Sequence, residues 1–99
     1  MAEIMVTASE LRRKAEELRG INGQFKNSVS SLESTEGSLN GMWEGEAHDL
    51  FHKAFMEDKG QMIAFATLIE EYCNALEQIA QEYEEKERIN AEIARNRTR

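Results

Sequence analysis

The chain has 99 residues, a formal net charge of −7, no proline and a single cysteine. That length holds one domain at most, and the acidic balance argues against nucleic acid as a partner, because phosphate binding needs clustered Lys and Arg. The lone Cys73 excludes an intramolecular disulfide and a cysteine metal cluster.

The first residues, Met1 to Ser9, lack a basic start and a long apolar run, so no general secretory leader is expected. No window approaches the ~20 apolar residues of a membrane span, and stable membrane insertion is not expected. The first predicted helix covers about 7–39. Thr7-Ala8-Ser9-Glu10 has capping-box spacing at its start. Leu11, Leu18, Phe25, Leu32 and Leu39 then recur every seven residues, with Ile4 in the same phase. Ala8, Ala15, Asn22, Val29 and Glu36 stand three residues before each. This is a narrow heptad seam, large residues on one row and small or polar ones on the other, flanked by Arg12, Arg19, Lys26 and Glu33. Gly20 and Gly23 weaken it by roughly 1 kcal/mol each against alanine.

Ser, Gly and Asn cluster before Gly41-Met42-Trp43-Glu44-Gly45, which marks a turn at about 40–45. Trp43, the only tryptophan, is expected to cover the open end of the core. The second predicted helix covers about 46–90, with Glu46 and Asp49 placed to complement the dipole of its first turn. Its seam runs Phe51, Phe55, Asp58, Met62, Phe65, Ile69, Tyr72, Leu76, Ile79 and Tyr83, with a small second row at Ala66, Cys73 and Ala80. A basic tail is expected over about 91–99.

Two long helices with a short connection fold back antiparallel. The second helix has an apolar face wide enough for two neighbours, and one hairpin supplies only one. Burying a large apolar side chain stabilises by roughly 1.5–3 kcal/mol, while ordering each residue costs ~1–2 kcal/mol. One thin layer leaves that balance poor. The expected fold class is therefore all-α: an antiparallel helix-turn-helix hairpin over 1–99 that pairs into a four-helix bundle as a dimer.

His48 and His52 lie one helical turn apart around Asp49, a faint likeness to the zinc-hydrolase pattern. No third histidine exists, and the two are expected as a loop-end pair, one packed near Trp43 and one partly exposed. Glu70, Glu71, Glu77 and Glu82 read as a solvated face, and Cys73 as a packed small hydrophobe. No nucleophile has a base at useful spacing. No enzyme, metal or cofactor is expected.

With Trp43-Glu44-Gly45 at mid-chain between heptad helices, and Tyr83-Glu84-Glu85-Lys86-Glu87 matching Tyr-x-x-x-Asp/Glu, the chain resembles the WXG family. These are helical-hairpin proteins exported by type VII (ESX-like) systems of Gram-positive bacteria and mycobacteria. The resemblance covers about residues 4–90. It implies export as a folded dimer without a cleaved signal, and a virulence or effector-partner role. It also implies recognition through Trp43 and Gly45 of one subunit and Tyr83 and Glu87 of the other, with the C-terminal part read by an FtsK/SpoIIIE-type ATPase. The expected partner is a second copy, with a sister protein as the alternative. The dimer and core are expected to use Leu11, Leu18, Phe25, Leu32, Leu39, Phe55, Met62, Phe65, Ile69, Tyr72, Leu76 and Ile79. An intracellular helical adaptor or chaperone-like interaction protein is the alternative function.

Overall fold

The computed structural model describes residues 6–97. Two helices account for nearly all of them: α1, Ala8–Asn40, and α2, Glu46–Arg97. Thr7 caps α1. Its hydroxyl oxygen accepts from the Glu10 amide at 3.1 Å, and the hydroxyl lies 3.1 Å from the Glu10 carboxylate. The helix runs without interruption through Gly20 and Gly23. It ends where the Gly41 and Met42 amides donate to the Ser38 and Leu39 carbonyls, tightening the last turn.

The helices pack antiparallel. Their line of closest approach is the row of small or polar residues: Ala8, Ala15, Asn22, Val29 and Glu36 of α1 are buried, as are Ala66, Cys73 and Ala80 of α2. Small side chains let two backbones approach, and the larger row then straddles the contact. Leu11, Leu18, Phe25 and Leu39 are half-buried, as are Phe55, Met62, Ile69 and Leu76. Phe25 meets Phe65 edge-on with ring centroids 5.9 Å apart.

On the other side of the contact, side chains from the two helices form ion pairs. Arg12 forks onto Glu84, and Arg19 reaches Glu77 at 2.6 and 2.8 Å, Glu70 at 2.9 Å and the Asn74 side-chain oxygen at 2.8 Å. Lys59 pairs with Glu33. Glu70 and Glu77, expected on a solvated face, are thus tied across the hairpin, whereas Glu71 and Glu82 are exposed as anticipated.

Helix α2 continues to Arg97, past the expected end near residue 90. The segment expected as a basic tail is helical as far as it is described. Arg88 bridges Glu85 and Glu92 at helical spacing, and Arg95 and Arg97 complement the dipole of the last turn. Ile4 and Arg99 lie outside the described residues. The result is a rod of 82 × 26 × 16 Å, with a radius of gyration of 22.9 Å. A globular chain of this length has about 13 Å, so each helix has one neighbour and a long free flank.

Candidate recognition site

The sequence singled out two clusters, and the fold places them at opposite ends of the rod. The first is the turn. Gly45 takes φ +117°, a backbone conformation that L side chains rarely adopt, and its carbonyl accepts from the Asp49 amide at 3.1 Å to start α2. Nothing lies within 4 Å of where a Cβ on Gly45 would stand, so glycine is required here by the backbone and not by crowding. That reversal lets Trp43 fold onto the first turns of α2. Its ring lies 5.3 Å from His48, edge-on, and 5.7 Å from Phe51. Met42, 76% exposed, precedes Trp43 in the chain and Leu50, 63% exposed, precedes Phe51; Glu44, Glu46 and Asp49 are exposed as well.

Both histidines fasten the turn end of the hairpin. His48 bonds the Asn40 side chain through Nε2, and His52 Nδ1 lies 2.7 Å from Glu36, a carboxylate only 5% exposed. The rings are stacked 6.1 Å apart. Among the described residues, no group of three or more His, Cys, Asp or Glu is placed to hold a metal ion. The His48 and His52 partners are interhelical, and sequence spacing along one helix gave no signal for Glu36 as a buried acid.

The second cluster is at the other end. Tyr83 is 41% exposed, and Tyr83 and Glu87 line a shallow groove of about 260 Å³ with Val6, Lys86 and Asn90. Beside it, Arg12 holds the Glu84 carboxyl below its ordinary range, mainly by hydrogen bonding, and the guanidinium is raised in turn. Arg19 does the same to Glu77. These pairs anchor α1 to α2 next to the groove. Between Glu46 and Tyr83 α2 climbs ~55 Å at 1.5 Å per residue. One chain therefore cannot bring Trp43 and Gly45 near Tyr83 and Glu87.

A stripe of exposed apolar residues links the two ends along α2. Phe51, Phe65, Tyr72, Ile79 and Tyr83 are each at least 41% exposed, as are Leu32 of α1 and Ile93 near the end of α2. No helix of the described residues is long and apolar enough to cross a membrane.

Residues 3–88 match the WXG100 family, proteins of 100 residues with WXG. The chain is 28% identical over 87 residues to type VII secretion system extracellular protein A of Staphylococcus aureus strain USA300, covering 88% of this chain and 90% of that protein. Among solved structures, the secreted protein EsxB of Bacillus anthracis superposes with a TM-score of 0.78 at 29% identity, covering 88% of this chain and 99% of that one. EsxA of Geobacillus thermodenitrificans shares the fold at a TM-score of 0.79 and 24% identity, over 90% and 97% of the two chains.

Proposed function

The chain belongs to the WXG100 family, and from that premise we propose that it is a small non-catalytic protein exported as a folded dimer by a type VII (ESX-like) secretion system. Its extracellular destination follows that of its relatives, which are named as type VII extracellular and secreted proteins. The observation that carries the dimer is the exposed stripe on α2. Phe65 and Tyr72 are 53% and 55% exposed on a helix that already has its one intramolecular neighbour, and contiguous apolar surface of this kind marks an interaction site. An antiparallel second hairpin covers the stripe and brings one copy's turn to the same end as the other copy's Tyr83 and Glu87.

In this reading Trp43, Gly45, Tyr83 and Glu87 form a composite export signal that only the folded pair displays, and a membrane-anchored FtsK/SpoIIIE-type ATPase reads it. Leu11, Leu18, Phe25, Leu32 and Leu39 of α1 pack with Phe55, Met62, Phe65, Ile69, Tyr72, Leu76 and Ile79 of α2 in the bundle. The partner in this reading is a second copy, with a sister protein's hairpin as the alternative; after export the pair acts through protein contacts, as a virulence or effector-partner protein. The test is export of Tyr83→Ala by the producing cell. The protein should remain dimeric and stay in the pellet. Unchanged appearance in the culture supernatant would remove Tyr83 from the signal.

A further inference from the structure

One heptad row of α2 is exposed along its whole length: Phe51, Asp58, Phe65, Tyr72, Ile79, Lys86 and Ile93. The row is apolar except at two places, and those two are an acid and a base at equal distances on either side of Tyr72. Each is fourteen residues from it, about 21 Å along the axis. Asp58 and Lys86 are therefore ~42 Å apart within one chain, and among the described residues neither has an ion-pair partner.

We propose that the row is the self-complementary contact of two copies, with the two-fold axis at Tyr72 and the register fixed by Asp58 of each copy against Lys86 of the other. This rests on the dimer reading above and specifies its geometry. Antiparallel pairing about Tyr72 sets Tyr72 against itself, Phe65 against Ile79, Phe51 against Ile93 and Asp58 against Lys86. Every apolar residue meets an apolar one and both charges are matched. A slip of one heptad in one direction sets Asp58 against Ile79 and Lys86 against Phe51. A slip in the other sets Asp58 against Ile93 and Lys86 against Phe65. Each wrong register leaves charges facing apolar side chains, which is how a single polar position selects register in a helical seam.

The same axis accounts for the length of α2. It places Ile93, otherwise on a helix end with no α1 beside it, on the partner's Phe51. It lays the basic end carrying Arg95 and Arg97 along the partner's acidic turn of Glu44, Glu46 and Asp49. Because the Trp43 ring folds back to the level of His48 and Phe51, it reaches within roughly 10–15 Å, measured along the axis, of Glu87 across the interface.

The test is a charge-swap cycle on the full chain, read by sedimentation equilibrium. Asp58→Lys alone and Lys86→Asp alone each put like charges together twice per dimer, and should weaken dimerisation about tenfold. The double variant should restore it. In a Cys73→Ala background, Tyr72→Cys should cross-link two copies on oxidation, because a residue on a two-fold meets itself. Single swaps that leave a dimer at unchanged affinity, or cross-linking through Ile69→Cys in place of Tyr72→Cys, would overturn this register while leaving the dimer reading standing. A monomeric wild-type chain, or pairing only with a sister protein's hairpin, would overturn both.

Discussion

Asn22 offers the sharpest check on the hairpin interior. It sits in the row of closest approach, 1% exposed, and its side-chain amide donates to the Ala66 carbonyl at 3.0 Å. Its other polar atom, Oδ1, is buried with no hydrogen-bond partner. Removing the amide by Asn22→Ala forfeits one bond, worth about 0.5–1.5 kcal/mol net. The Ala66 carbonyl lies inside α2 and keeps its own helical position, so nothing new is orphaned. The change also removes the desolvated Oδ1, a burden of about 1–3 kcal/mol, and replaces a weak helix former by the best one, for up to ~0.7 kcal/mol. Against this stands the small void left behind, about 1 kcal/mol. These terms nearly cancel, with the balance on the stabilising side. Asn22→Ala should thus lie within about 1 kcal/mol of the parent, against 2–5 kcal/mol for truncating a buried aliphatic side chain. The assay is thermal and urea unfolding at one fixed protein concentration, because association shifts apparent stability. Tm should be unchanged or a few degrees higher, at about 4–8 °C per kcal/mol for a chain of this size. A loss above 2 kcal/mol would refute the reasoning and make Asn22 a net contributor to the fold.

Gly45→Ala should destabilise by about 1–3 kcal/mol through backbone strain alone, since φ is +117° and no atom crowds the position; a change below 0.5 kcal/mol in urea unfolding would contradict that. Thr7→Ala should cost about 1 kcal/mol and speed amide hydrogen exchange in the first turn of α1; unaltered exchange there would show that the cap contributes nothing. Glu77 and Glu84 have folded pKa values below the ordinary carboxylate range, held there by Arg19 and Arg12. Their contribution is present above the unfolded carboxylate pKa and is lost as pH falls through the folded values. Stability should therefore decline in acid, and Arg19→Met should flatten that decline, with parallel pH profiles of the two proteins as the contrary result.

Much of this architecture was legible because it rests on local chemistry. The Thr7–Glu10 spacing gave the start of α1, the Ser/Gly/Asn cluster gave the turn, and the heptads gave two helices. Two features were not legible. The first is which heptad row lies innermost. Leu11, Leu18 and Phe25 are the more apolar row, yet Ala15, Asn22 and Val29 are more deeply buried, because the axes close on small side chains and large ones fit only beside the contact. The second is the cross-hairpin polar set: Arg19 with Glu70 and Glu77, and Glu36 with His52. Each depends on the register of one helix against the other, which no periodicity within a single helix encodes. At the recognition site, Trp43, Gly45, Tyr83 and Glu87 stood out as a pattern. Only the fold shows that Gly45 is demanded by its φ and that the two pairs sit at opposite ends of one rod.

The most direct test of a composite signal shared between two copies is complementation between defective chains. Trp43→Ala and Tyr83→Ala variants, carrying different tags, are produced separately and together in the native host, and their culture supernatants are compared. Each alone should stay in the cell, since neither homodimer has an intact end. Produced together they should both be exported, because a mixed pair joins the sound turn of one to the sound Tyr83 of the other. Retention of the mixed pair, or export of either variant alone, would contradict the account.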